Sequence, residues 1–282
     1  MLKQKNTKRK SSFLVFLIVI LVFISSTGYL NGETSTSSKN KLDLNYLKQF
    51  GRDAFSVVRS PVHWKGKDYL TLAVVAGTGA FFFAFDQKIK EWVDSNKTGL
   101  FDDIWESVTN SGNGVFLGGL LASYYIVGDI FKLDNMRKIA LLGVESFVIS
   151  GALVGILKYS IGRARPYSGE LRGSFHPFSL TSSNYSFPSG HASSAFSVAT
   201  VIAEHSKEFL VDVLVYGMAS LVAISRIHKN KHWVSDVFIG SAIGFFVGKK
   251  ISDLNRGDSS ERLKIGIQLG PQKQAFSLSY SF

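Results

Sequence analysis

Six apolar segments, near residues 69–85, 115–131, 138–157, 191–205, 209–225 and 234–250, leave this chain few ways to fold. None keeps the period-two alternation of a half-buried strand. All are rich in Gly, Ala and Ser, the small residues that let helix backbones approach closely. Polar breaks such as DSNKTG (94–99) and TNSGNG (109–114) separate them. The expectation is an all-α bundle. With 45% hydrophobic residues, the 282-residue chain has enough apolar surface for a substantial core.

The two ends read differently. MLKQKNTKRKSS, then the apolar run Phe13 to Ile24, then SSTGYLNG give a basic head, a short hydrophobic stretch and small residues. That order predicts a signal peptide over residues 1–28, with Ser26 and Gly28 at the −3 and −1 positions of a cleavage site. A membrane anchor is the alternative, although the run is shorter than the roughly 20 residues a span needs. Residues 29–66 read as a polar linker and amphipathic lead-in, 67–252 as the bundle, and 253–282 as a tether and hairpin. In that tail Leu263, Ile265, Ile267 and Leu269, and then Phe276, Leu278, Tyr280 and Phe282, alternate with polar or small residues, the pattern of a β-hairpin.

The chain has no cysteine, which excludes disulfides, thiolate chemistry and Cys-bound metals. Its formal charge of +11 points to an anionic partner. No nucleic-acid-binding signature accompanies that charge, so the reading is a phosphorylated molecule or a lipid surface and no nucleic acid. The histidines show no HExxH-type spacing, and neither a metal nor another cofactor is expected.

If the six helices alternate in direction, three charged blocks fall at one end of the bundle: KYSIGRARP (158–166), PSGH (188–191) and SRIHKNKHWVSD (225–236). Lys158, Arg165 and Arg226 can then surround a tetrahedral oxyanion, arginine by its planar fork and lysine as a point charge. Arg163 is assigned to solvated basic loop, and His228 likewise. Ser189 can cap a helix that opens at Gly190, whose N–H would face an anion. His232 and Asp236 stand four apart and share one helix face. A carboxylate accepting from one imidazole nitrogen leaves the other free to attack, so the pair, beside His191, reads as nucleophile and orienter.

Together the blocks resemble the type 2 phosphatidic acid phosphatase superfamily, with its pattern KxxxxxxRP, PSGH and SRxxxxxHxxxD. Lys158 to Arg165–Pro166, Pro188 to His191, and Ser225–Arg226 with His232 and Asp236 all fall in register. The resemblance implies a six-helix fold and a metal-independent phosphomonoesterase of the bacterial cell envelope. In it His232 would form a phosphohistidine, Asp236 would orient it, and His191 would protonate the leaving alcohol and then activate water. Lys158, Arg165, Ser189, Gly190 and Arg226 would hold the phosphate oxygens. The expected substrate is a phosphate or pyrophosphate ester, of a lipid in the first instance, and the expected location is a membrane, with the catalytic face outside the cytoplasm. A soluble periplasmic enzyme is the alternative location. A vanadium-dependent haloperoxidase of the same superfamily and a non-catalytic envelope lipid-binding protein are the competing functions.

Overall fold

A computed structural model describes residues 40–97, 105, 108–109, 112–206, 208–256, 263–270 and 273–280. The signal-peptide reading of residues 1–28 lies outside the described residues. Seven α-helices are described in full: α1 (Leu44–Arg59), α2 (Gly66–Ser95), α3 (Gly114–Ile130), α4 (Asp134–Ile161), α5 (Gly190–His205), α6 (Phe209–His228) and α7 (Val234–Leu254). The helix beyond the expected six is α1, which corrects the count. Its amphipathic sequence, assigned above to the lead-in, starts at Asp43, whose side chain accepts from the Tyr46 N–H. Phe50, Ala54 and Val57 then pack it against the core.

The second helix also outruns its apolar segment at both ends. The Asp68 carboxylate caps the Lys65 N–H at 2.8 Å. Beyond the apolar run, Gln87–Glu91 and Lys90–Asp94 side-chain pairs at i,i+4 continue the helix into polar sequence. Among the described residues three helices, α2, α4 and α6, are long and apolar enough to cross a membrane. α2 in particular leaves Leu70, Val74, Phe81 and Phe85 exposed.

The core lies where α4, α5 and α7 meet: Met136, Ile139 and Ile149 against Val201, Val247 and Ile251. A second cluster joins Ala195 and Ala199 of α5 to Val211, Val215 and Ala219 of α6. Small residues set the spacing. Side chains at Gly240, Gly244 and Gly248 of α7 would run into the backbone oxygens of Ser189, Ser193 and Ser197 of α5. This one glycine row brings the helix carrying Asp236 onto the helix opening at Gly190. Further along, Leu263–Gly270 and Lys273–Tyr280 pair antiparallel, with Leu263 opposite Tyr280 and Gly270 opposite Lys273.

Candidate active site

α4 stops at Gly162, whose φ of +61° is left-handed. A Cβ there would collide with the His176 carbonyl, so only glycine fits this stop. The next three residues are held on both sides. Ala164 N donates to Ser174 O at 3.0 Å, Arg165 N to Ser183 O at 2.9 Å, and Ser186 N to Arg163 O at 2.9 Å. The segment 163–165 is thereby fixed between two stretches of the long α4–α5 connection.

Arg163 is not the solvated loop residue the sequence suggested. It is 1% exposed and stacks within 5.4 Å of the Trp233 ring and 4.8 Å of the Phe83 ring. One guanidinium nitrogen donates to Asp236 Oδ1 at 2.5 Å and to Ser235 Oγ at 2.8 Å, and the other to Asp86 Oδ2 at 2.7 Å. Asp86, from α2, also accepts from the Ser235 N–H and hydroxyl at 2.9 and 2.6 Å. One signal for this was readable beforehand: an Asp ending an apolar, Phe-rich run has to find a buried cation.

Asp236 also differs from expectation. His232 precedes α7 rather than sitting on it, and Asp236 is the third residue of that helix. Its carboxylate turns back to its own helix start, accepting from the Trp233 N–H at 2.9 Å and from Ser186 Oγ at 2.5 Å. The His232 Nδ1 is 4.0 Å from the carboxylate. That nitrogen lies 2.6 Å from the Ser186 carbonyl instead, within donating reach of the backbone oxygen. The imidazole is therefore oriented by Ser186, and Asp236 holds Ser186 and the start of α7 in place. Trp233 completes the frame through its indole N–H to Ala164 O at 2.9 Å.

Around His232 the remaining blocks converge. Lys231 N and His232 N both donate to Arg226 O, at 3.0 and 3.3 Å, folding the turn after α6 back over its last residues. Lys158 Nζ donates to Tyr185 O at 2.7 Å, and the Lys158 stem lies alongside Gly190. The Nε atoms of Arg165 and Arg226 are buried with no hydrogen-bond partner among the described residues. Ser189, fully buried, caps α5 by accepting from Ala192 N at 3.5 Å, and its own N–H donates to Asp236 O at 2.9 Å. His191, half-buried in the first turn of α5, borders Gly112. All eight residues singled out in the sequence thus stand at the end of the bundle where α4 and α6 finish and α5 and α7 begin.

Tyr167 and Lys231 were missed. Tyr167 lies under both the Lys231 ammonium, 4.6 Å from its ring centroid, and the Arg165 guanidinium at 5.9 Å. His228 faces Trp105 with ring centroids 5.7 Å apart, and His176 pairs with Glu170 at 2.7 Å on the surface. His232, in the turn between α6 and α7, has its pKa held well below 6.5, first by burial and then by the positive charges of Lys158, Arg165 and Arg226. Burial likewise lowers Arg165. Among the described residues no group of three or more His, Asp or Glu side chains is placed to hold a metal ion.

The chain is 40% identical over 111 residues to a lipid A 1-phosphatase of Porphyromonas gingivalis, a match taking in 38% of this chain and 22% of that protein. A lipid A 1-phosphatase of Rhizobium etli is 28% identical, covering 65% of this chain and 82% of its own length. Phosphatidylglycerophosphatase B of Bacillus subtilis is 28% identical over 64% of this chain and 87% of that one. Among solved structures, a transmembrane PAP2-type phosphatidylglycerolphosphate phosphatase from Bacillus subtilis superposes with a TM-score of 0.50 at 22% identity, over 77% of this chain and 98% of that one, a likeness of fold. Residues 140–254, the stretch that carries the three charged blocks, match the family model of the PAP2 superfamily.

Proposed function

We propose that the chain is a metal-independent phosphatase that hydrolyses a phosphate ester of a lipid through a phosphohistidine on His232. One arrangement supports this most directly: an imidazole tied by Nδ1 to the Ser186 carbonyl, with Arg165 and Arg226 beside it presenting buried, unpartnered Nε donors. A hydrogen bond donated from Nδ1 puts the lone pair on Nε2, and the depressed pKa keeps that nitrogen neutral and nucleophilic.

The phosphate would sit among Lys158, Arg165 and Arg226, with the N-terminus of α5 at Ser189 and Gly190 completing the donor set. The three cations stabilise charge on the equatorial oxygens as the bond from Nε2 to phosphorus forms and the bond to the leaving oxygen breaks. Burial and then the charges of Arg226, Lys158 and Arg165 pull the His191 pKa down to about 4 in the free protein. The negative charge of the bound phosphate therefore has to raise it before His191 supplies the proton that the departing alkoxide takes. Having lost it, His191 removes a proton from water, whose oxygen attacks phosphorus while the P–N bond breaks. Inorganic phosphate leaves, and both histidines return to their starting states.

A lipid substrate fits the activities of the relatives and the three membrane-length helices among the described residues. The end opposite the site carries Lys48, Arg52, Arg59, Lys65 and Lys67 ahead of and into α2. By the excess of cations on cytoplasmic segments, this supports a catalytic end outside the cytoplasm.

The test is purified full-length protein with a radiolabelled lipid monophosphate, quenched in alkali to preserve a phosphoramidate. Label should transfer to the wild-type chain, and EDTA should leave turnover unchanged. His232→Ala should abolish both label and turnover at an unchanged melting temperature. Substantial turnover in a folded His232→Ala protein would overturn the assignment, as would a need for Mg²⁺ to restore a chelated enzyme.

A further inference from the structure

The first helix has two apolar faces, one more than it needs to join the bundle. Phe50, Ala54 and Val57 pack inward, with the buried Asp53 between them bonded to Asn255 Nδ2 at 2.8 Å. The Tyr46 hydroxyl donates to Leu141 O at 3.0 Å. These contacts seat α1 at the end of the bundle where α4 starts and α7 finishes, away from the candidate active site. Yet Leu44, Leu47, Phe55 and Val58, and Val62 just beyond, are each more than half exposed. With the exposed Gly51 they fall at intervals of three and four, forming one continuous stripe along a helix.

Charge runs along one flank of this stripe. Lys48, Arg52 and Arg59 are exposed and lie, at 100° per residue, beside the apolar row rather than opposite it. Arg59 reaches back over the Phe55 ring, its guanidinium carbon 6.0 Å from the centroid. The helix has a single carboxylate, Asp53, and it is buried on the far side. An apolar row edged by unopposed cations suits the boundary between acyl chains and anionic headgroups, where long basic side chains reach the phosphates. The chain leads directly from it into α2, whose Tyr69, Leu70 and Val74 are exposed along a helix of membrane-crossing length. Stripe and helix thus form one apolar surface with a cationic border.

We propose that α1 is an in-plane membrane anchor that lays this stripe into the anionic leaflet at the end of the bundle opposite the active site. The inference rests on the reading that α2 crosses the bilayer, and the experiment separates the two. Because the chain contains no cysteine, a single introduced one carries a fluorophore at a unique place. Full-length Phe55→Cys, Val58→Cys, Asn45→Cys and Val74→Cys proteins would be labelled and reconstituted into phosphatidylcholine vesicles with and without phosphatidylglycerol. Val74, on the exposed face of α2, reports bilayer insertion itself, and Asn45 reports the side of α1 turned from the stripe.

Probes at 55 and 58 should be quenched by a nitroxide placed near the lipid headgroups and shielded several-fold from aqueous iodide, more strongly with phosphatidylglycerol present. The probe at 45 should stay open to iodide. Replacing Lys48, Arg52 and Arg59 together by Gln should remove the phosphatidylglycerol dependence. If position 74 meets lipid while 55 and 58 remain as open to iodide as 45, the anchor is overturned and the spanning helix stands. Shielding at 55 and 58 that persists in detergent, without nitroxide quenching, means that a second protein copy covers the stripe, and it overturns the lipid assignment. If position 74 also fails to meet lipid, the spanning reading falls and the anchor with it.

Discussion

The two ends of α4 each bury an arginine, and the two are neutralised in different ways. Arg137, in the first turn, is paired with Asp129 at 2.9 Å and with Asp134, both within eight residues in sequence. Asp129 remains half exposed, so the pair fastens one local turn and still touches water. Arg163, just past the last turn, joins Asp86 and Asp236, which lie 77 and 73 residues away and are fully buried. It ties α2 and the start of α7 to the long α4–α5 connection, and through Asp236 it fixes Ser186 and so the His232 ring. Two residues further on, Arg165 is half-buried with its Nε enclosed, and among the described residues no carboxylate pairs with it. At this end of the molecule a fully paired arginine builds the frame, and an arginine with an unpaired donor is the one proposed to meet the phosphate.

The largest effect should come from breaking the long-range pair. Arg163→Met would leave Asp86 and Asp236 buried without their shared cation, a change that typically costs about 3–5 kcal/mol. A clear drop in melting temperature should accompany loss of turnover. Arg137→Met should cost less, because its partners can turn to water. Equal losses for the two variants would end the distinction between a local fastening and a frame. Arg163→Lys sharpens it: one ammonium cannot span both carboxylates, so stability should recover only in part.

The next effect separates frame from ligand. Arg165→Gln should leave the melting temperature near that of the wild type and lower kcat/KM by about 10²–10³, the usual consequence of losing one preorganised donor to a developing charge. A variant that instead melts early, with turnover falling only in proportion to the unfolded fraction, would show that Arg165 belongs to the frame.

The sequence made the cations of the site legible but not its supports. Lys158, Arg165, Arg226, His191 and His232 were readable because charge at the ends of apolar helices stands out, and alternating helix directions put those ends together. Arg163 was not, since its meaning depends on Asp86, which arrives from a helix with no motif. The spacing of His232 and Asp236 was misread for a local reason: four residues apart implies one helix face only if the helix includes both, and α7 begins at Val234. The extra helix was visible as amphipathic sequence. Its two apolar faces became distinguishable only when one of them was seen to be occupied by the core.

The smallest expected effect concerns pH. His232 must be neutral to attack, so activity should fall as pH drops through its pKa in the free enzyme. Burial and three nearby cations push that pKa well below 6.5, and kcat/KM should therefore show no loss from the nucleophile on acidification through 6.5. In Arg165→Gln one of those charges is gone, protonating the imidazole becomes easier, and the acid inflection should move up toward 6.5 by less than about one pH unit. Lys231 is not among the main groups that depress His232, so Lys231→Gln should move the inflection less than Arg165→Gln does. The comparison needs only pH profiles of kcat/KM for three proteins on one substrate. An upward shift in Lys231→Gln equal to that in Arg165→Gln would mean that the general charge of the rim, rather than the cations around the ring, sets the state of the nucleophile. No shift in either would leave burial as the sole cause.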